Sequence, residues 1–346
     1  MAPILQVGIA VGWDLEHSLN VVQQASFLLS LLTLGICLWI GSLLFKDKKY
    51  LISGCLFAGF VATLPSFIFF AARINNDALY QVFAILAYAL LILWWQHPKR
   101  TVWILMCAAV GLGLLTKSNI LPFVPLALVV LALKPRLFWK QKVVLGFGLL
   151  GITVLVIGTL QWLRPSTAGK EVLVGNYAML TNFVEQDVRH FLTFNPLEIL
   201  NHPYNNPFSD EERRQEFWEY LYRSAFTGEF HFGEPLKPFV LGMLLCSLLL
   251  IPFVLASMID DMRRKRDSLV PLWAGIVLFL LAHLAFRILF PYSSSQDFRY
   301  SLPLLIPFAY YASMPFAHES KWLRLVRLNL CLIFIALAAA FVLMIP

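Results

Sequence analysis

The chain is poor in charge. Only 14% of its 346 residues are Asp, Glu, Lys or Arg, against about 25% in soluble domains. That shortage, with 59% apolar residues, excludes an ordinary water-soluble globule. Paired cysteines are also missing. The five cysteines (Cys37, Cys55, Cys107, Cys246 and Cys331) all fall inside apolar runs with no paired spacing. This argues against a disulfide framework or a thiolate metal site and for small lipid- or core-facing side chains. Residues 1–13 lack the basic stretch and small-residue cleavage site of a secretory signal peptide. There is no internal repeat, and apart from His283 no ionisable residue sits deep in an apolar run. Both absences argue against a transporter built from inverted repeats and broken helices.

What the chain has is long apolar runs. Ten can be drawn, at roughly 20–45, 51–72, 78–95, 101–116, 119–133, 143–163, 238–257, 269–290, 301–317 and 324–345. A helix of about 20 apolar residues crosses a bilayer core. The expected fold class is therefore all-α, a polytopic transmembrane helical bundle of about ten spans with one outer-face loop domain containing short helices. Three domains are expected: a transmembrane module over 1–163, a loop region over 164–237 and a second transmembrane module over 238–346. Pro65 should kink the second run, and Gly111 and Gly113 should let helices approach closely. In the loop region, Ser209 and Glu212 have the spacing of a capping box and predict a helix running through Phe226 to a stop at Gly228. Its aromatic residues fit either the membrane interface or a small core under the loop.

Sixteen of the 27 Lys and Arg residues lie in the loops at 46–49, 99–100, 134–142, 263–266 and 321–327. Only Arg73, Lys117, Arg287 and Arg299 lie in the loops on the opposite side. By the positive-inside rule the basic loops are cytoplasmic, so their charge sets topology and implies no nucleic acid. The long loop, the N-terminus and the C-terminus then lie outside.

Four features converge on that outer side. One is Arg73-Ile74-Asn75-Asn76-Asp77, which could also be a plain polar turn. The second is Lys117, which could also cap a helix end. The third is Phe290–Tyr300, which holds Gln296, Asp297, Arg299 and Tyr300, with Arg287 one turn inside it. Here the plain alternatives are a local turn and a snorkelling arginine. The fourth is Gly228–Glu234, with Glu229 and His231. Cations at helix ends suit a phosphate, and a carboxylate among them can act as a base. Glu229, His231 and Glu234 offer three metal ligands without a fourth, so neither metal nor cofactor is expected. His283 fits a neutral histidine hydrogen-bonded between helices.

The stretches Leu64-Pro65-Ser66-Phe67, Arg73–Leu79, Gly111–Lys117 and Gln296–Pro303, with Phe217–Tyr220 and Gly228–Phe230, resemble the bacterial GT-C glycosyltransferases related to protein O-mannosyltransferases and the lipid A aminoarabinose transferase. The resemblance implies transfer of a sugar from a polyprenyl-phosphate donor to a lipid, glycan or protein acceptor on the outer face of the membrane, with membrane lipids around it. It implies Asp77 as the catalytic carboxylate and Arg73, Lys117, Arg287 and Arg299 as donor-phosphate ligands. Asn75, Asn76, Gln296, Asp297, Tyr300, Glu229 and His231 would line the substrate. The bacterial plasma membrane is the expected location. The family's first helix and its acidic outer loop have no counterpart ahead of residues 1–19, which look like the end of that loop. A fragment, a misplaced start or a degenerate, non-catalytic carrier-binding member would each fit. A polysaccharide polymerase or ligase is the competing enzyme. It would depend on loop arginines such as Arg164, Arg189, Arg213, Arg214 and Arg223 and not on Asp77.

Overall fold

The structure, a computed structural model, describes residues 14–72, 77–163, 183–264 and 269–345. Among these residues there are fourteen α-helices, and the one piece of β pairing is an isolated bridge from Phe183 to Tyr292. The fold is all-α and of membrane type. By chain contacts it forms two compact units, Met1–Ile40 with Phe67–Thr167 and Gly41–Ser66 with Ala168–Pro346.

In the first unit, helix α1 (Leu15–Leu44) starts where Asp14 accepts a hydrogen bond from the His17 N–H at 2.7 Å. Asp14 is thus a helix cap. The buried side of α1 carries Ser18, Val22, Ser26, Ser30, Thr33 and Cys37, while Leu28 and Leu32 are exposed. The hydroxyls of Ser26, Ser30 and Thr33 each donate to the carbonyl four residues back at 2.9–3.1 Å. Small residues inward and leucines outward is the pattern of a helix in lipid.

Helix α4 (Asp77–Gln96) is the centre of this unit. Its apolar window is 78% buried, against 22–39% for the other long apolar helices. It packs along α5 (Arg100–Thr116), and both α5 and α6 (Phe123–Leu133) pack on α7 (Trp139–Leu163). Trp94 and Trp103 stack at 4.6 Å, and Trp103 Nε1 donates to the Leu145 carbonyl at 3.1 Å.

In the second unit, helix α2 (Leu51–Thr63) stops at Leu64, whose ψ of 116° leaves the helical region, and α3 starts afresh at Pro65 (Pro65–Ala72). The expected kink is thus a full break. Pro65 has no N–H to continue the ladder, and its ring pushes the preceding residue out of the helical conformation. Helix α14 (Lys321–Met344) packs against α2 and against α11 (Lys237–Arg263). A Cβ on Gly59 would lie 2.6 Å from Ile335 Cδ1, and one on Gly242 would lie 2.6 Å from Leu337 Cδ1. Both glycines are needed for that close approach. Helix α12 (Val270–Leu289) and the short α13 (Leu305–Ser313) complete the apolar part. Short helices α8 (Arg189–Leu192), α9 (Pro196–Asn201) and α10 (Phe217–Thr227) form the polar part.

Among the described residues, six helices are long and apolar enough to cross a membrane: α1, α4, α7, α11, α12 and α14. The other four runs of the expected ten form shorter or interrupted helices. The run at 301–317, for example, opens as a 3₁₀ segment, Phe298–Leu304, interrupted at Ser301 and Pro303 before α13.

The helix expected from Ser209 is also different. Ser209 caps only a 3₁₀ turn, Asp210–Glu212, by accepting the Glu211 N–H at 3.2 Å. Arg213 then turns left-handed (φ 53°), and α10 begins at Phe217. The Arg213 guanidinium forks onto Glu219 at 2.6 and 3.1 Å. This bidentate pair offsets a backbone conformation that costs about 1–2 kcal/mol. Phe217, Tyr220, Leu221 and Phe226 are buried; the Tyr222 hydroxyl donates to the Leu244 carbonyl of α11 at 3.3 Å and Phe226 lies 5.8 Å from Phe334 of α14, so α10 packs between the loop region and the apolar helices. Gly228 ends it at φ 60°, as expected.

The end of α13 is held by Arg327, which donates to the Ser313 carbonyl at 2.6 Å and pairs with Glu319 at 2.8 Å. Both side chains are almost fully buried. Replacing Arg327 with Met leaves the buried Glu319 carboxylate with only the more distant Arg324, 3.5 Å away, so the variant should lose about 3 kcal/mol, read as a lower unfolding midpoint in detergent. Adding Glu319→Gln should recover part of that loss.

Candidate functional site

In the first unit, Asp77 is the first residue of α4 and is 3% exposed. It forms an ion pair with Lys117, the residue that closes α5. The lysine gets there because its own backbone is extended (φ −161°) while its N–H still bonds the Gly113 carbonyl at 2.8 Å. Gly113 makes the turn possible, since a Cβ there would collide with Ile120 Cδ1. The Tyr80 hydroxyl donates to the Asn119 carbonyl at 3.3 Å and fixes the same turn. One helical turn beyond Asp77 the Gln81 amide is buried with no partner on either atom. Arg73, Asn75 and Asn76 lie outside the described residues.

In the second unit, Glu229 accepts the Tyr220 hydroxyl at 2.9 Å. Burial first, and then the charges of Glu229 and Asp297, push the Tyr220 phenol well above its usual range, so it acts as a donor. Asp297 is fully buried and caps the Phe298–Leu304 segment by accepting the Arg299 N–H at 2.8 Å. Arg299 donates to the Tyr300 hydroxyl at 3.2 Å and lies 5.0 Å over that ring. Burial, and next the neighbouring Tyr300, raise the Tyr292 phenol. The Phe298 N–H bonds Ser224 Oγ at 2.8 Å, tying this segment to α10.

The unit therefore brings Glu229, Asp297, Arg299 and Tyr300 into one electrostatic neighbourhood. Two phenols that lay in the marked stretches but were not named as site residues, Tyr220 and Tyr292, join them. The signal for Tyr220 was its place on a helix that Gly228 ends just before Glu229. Gln296 is buried but turns the other way, with Nε2 donating to the Arg214 carbonyl at 2.7 Å. His231 is exposed and lies on the Tyr204 ring at 4.5 Å.

His283 is buried, with Nδ1 2.6 Å from Ser301 Oγ and Nε2 2.9 Å from the Ser295 carbonyl. It is the hydrogen-bonded interhelix histidine that the sequence suggested. Arg287 does not snorkel. It is fully buried in the last turn of α12, and Nη2 donates to the Glu185 carbonyl at 2.9 Å.

The loop arginines of the polymerase reading are mostly engaged in structure. Arg213 holds Glu219 and Arg214 holds Asp210 at 2.6 Å. Arg223 is buried and donates to the His202 and Glu212 carbonyls at 2.6 and 2.8 Å, and burial lowers it to about 10. Arg189 is exposed, and Arg164 is outside the described residues. Among the described residues, no group of three or more His, Cys, Asp or Glu side chains is placed to hold a metal.

The second unit also holds a half-open apolar cavity of about 530 Å³. Leu221, Phe226, Val254, Leu280, Phe298 and Phe308 are among its walls. Two residues of the loop region, Leu192 and Phe194, close one side.

Removing Asp77 and Lys117 singly and together tests the first unit's ion pair. Asp77→Asn and Lys117→Met should show a coupling of about 1–3 kcal/mol in thermal unfolding. Additive losses would mean the two side chains do not interact.

No curated protein and no solved structure matches the chain. One family does. Residues 3–162, somewhat less than half of the chain, match the model of the dolichyl-phosphate-mannose-protein mannosyltransferase family. The matched stretch includes Asp77 and Lys117 and ends before the loop region. Over that stretch, and in its all-α membrane fold, the chain is similar to this family of membrane glycosyltransferases.

Proposed function

We propose that the protein moves a sugar from a polyprenyl-phosphate donor to a lipid, glycan or protein acceptor on the outer face of a bacterial plasma membrane. One observation carries the donor assignment beyond the family match: the apolar cavity of the second unit. At about 530 Å³ it is in the size range of ligand sites, roughly 300–1,000 Å³. Its walls are almost wholly hydrocarbon and aromatic, which suits an isoprenoid chain and not a nucleotide sugar.

In this reading Asp77 takes the proton of the acceptor hydroxyl. The acceptor oxygen bonds to the anomeric carbon from the face opposite the phosphate. The bond from that carbon to the phosphate oxygen breaks, and the lipid phosphate leaves with the electron pair. The product sugar is inverted. Lys117 explains how a paired carboxylate can serve as a base. While it holds Asp77 it neutralises the carboxylate. An arriving phosphate draws the ammonium away and frees the Asp77 carboxylate for the acceptor hydroxyl. Arg73, Arg287 and Arg299 are further cations proposed for the phosphate. Asn75, Asn76, Gln296, Asp297, Tyr300, Glu229 and His231 are proposed along the substrate path. The three-module division at 163 and 237, with the long loop and C-terminus outside, is the matching topology.

Sugar transfer in vesicles carrying the native-locus protein is the test. Asp77→Asn should lower the rate by about 10²–10⁴, the contribution of a general base, with donor binding retained. Full activity in Asp77→Asn, together with loss at Arg189 or Arg214, would favour the polymerase or ligase.

A further inference from the structure

Arg287 is the one long cation of α12, and its surroundings are unusual. Its side chain is fully buried, yet no carboxylate pairs with it among the described residues. Of its three nitrogens, only Nη2 has a hydrogen-bond acceptor, the Glu185 carbonyl at 2.9 Å; Nε and Nη1 are buried and have none. The guanidinium carbon lies 5.2 Å from the Phe191 ring centre. A buried charge without a counter-ion costs several kcal/mol, and unmade hydrogen bonds add to that. Such a group is stable in function only if an anion completes it.

The segment 183–194 lies across this arginine. At one end it is joined by backbone to the turn after α12, where the Val184 N–H bonds the Pro291 carbonyl at 3.0 Å. The Gln186 side chain donates to the Ile288 carbonyl at 2.9 Å. The rest of the segment is fastened mainly by side chains at the start of α10. Glu216 accepts from Thr193 and stands 3.2 Å from His190 Nδ1, and Trp218 Nε1 donates to the Phe191 carbonyl at 2.7 Å. The same segment supplies Leu192 and Phe194 to the cavity wall. On α12, cavity residues Ile276 and Leu280 continue through His283 to Arg287 at helical spacing. One segment thus roofs the cation and walls the cavity.

We propose that residues 183–194 form a lid over an anion site at Arg287, and that the anion is the phosphate of a single-chain lipid whose tail occupies the adjoining cavity. The inference rests on the prenyl-phosphate reading and deepens it. It makes the second unit the carrier-binding part and gives the lid control over loading and release. Glu216 is the latch. Its carboxylate holds the lid through Thr193 and His190 and touches neither Arg287 nor the cavity lining.

The test uses the full-length protein in detergent with three probes: farnesyl phosphate, farnesol and inorganic phosphate. Wild-type protein should bind farnesyl phosphate with slowed amide exchange across 183–194. Arg287→Gln should weaken farnesyl phosphate about tenfold or more, the loss of a charged hydrogen-bonded contact, and leave farnesol unchanged. Glu216→Ala should speed both association and dissociation several-fold and raise exchange in the lid. His190→Phe serves as a second, milder unlatching variant. Equal farnesyl phosphate affinity in Arg287→Gln overturns the site. Unchanged rates and exchange in both latch variants overturn the lid. Inorganic phosphate binding as tightly as farnesyl phosphate overturns the lipid assignment. Loss of transfer in Asp77→Asn with undiminished lipid binding in Arg287→Gln sinks this inference and spares the transferase. Lipid binding that needs Arg287, in a protein whose transfer ignores Asp77, does the reverse.

Discussion

Nearly every structural choice in this chain follows from one constraint: a polar group among apolar helices has no water to turn to, so it must find its partner inside the protein. In α1 the hydroxyls of Ser26, Ser30 and Thr33 fold back onto their own helix carbonyls. His283 divides its two ring nitrogens between Ser301 and the Ser295 carbonyl. Arg327 spends its donors on Glu319 and on the carbonyls that end α13. Asp77 takes Lys117. Against that background the exceptions carry information. Arg287 and Gln81 are buried polar side chains left incompletely bonded, and groups of that kind mark ligand sites and moving parts more often than stable cores.

The loop region obeys the same rule with different means. Here the partners are carboxylates and arginines. Glu219, fully buried, answers both to the forked guanidinium of Arg213 and to the Asn195 N–H at 3.1 Å. Arg223 bonds two carbonyls through its terminal nitrogens and leaves its buried Nε without a partner. These bonds fix α10, and α10 in turn positions Tyr220 against Glu229 and Ser224 against the Phe298 N–H. The lid segment is fastened to its surroundings by individual hydrogen bonds with Gln215, Glu216, Trp218, Ile288 and Arg287 and by one backbone bond to Pro291, each of which can break locally.

Some misreadings of the sequence have clear causes. Ser209 and Glu212 have capping-box spacing, but the bidentate Arg213–Glu219 pair outweighs it and starts the helix later. Hydropathy counts apolar residues and does not see where a backbone leaves the helix. It therefore counts the runs at 51–72 and 301–317 as unbroken, where Pro65, Ser301 and Pro303 interrupt the helix. The aromatic face of α10 left two coverings open, because period alone does not say what covers a face.

The sequence by itself determined the all-α membrane class, because composition fixes which solvent the helices can face. It also marked Asp77 and Lys117 as a pair of interest, because polar residues between apolar runs stand out one at a time. Only the tertiary structure decided which of the marked residues meet. It joined Asp77 to Lys117 and Glu229 to Tyr220, turned Gln296 and His231 elsewhere, and buried Arg287 beneath a segment that carries no motif. Those outcomes depend on contacts between residues up to 102 positions apart, as between Glu185 and Arg287. Packing of that range is a property of the folded chain and leaves no local pattern to read.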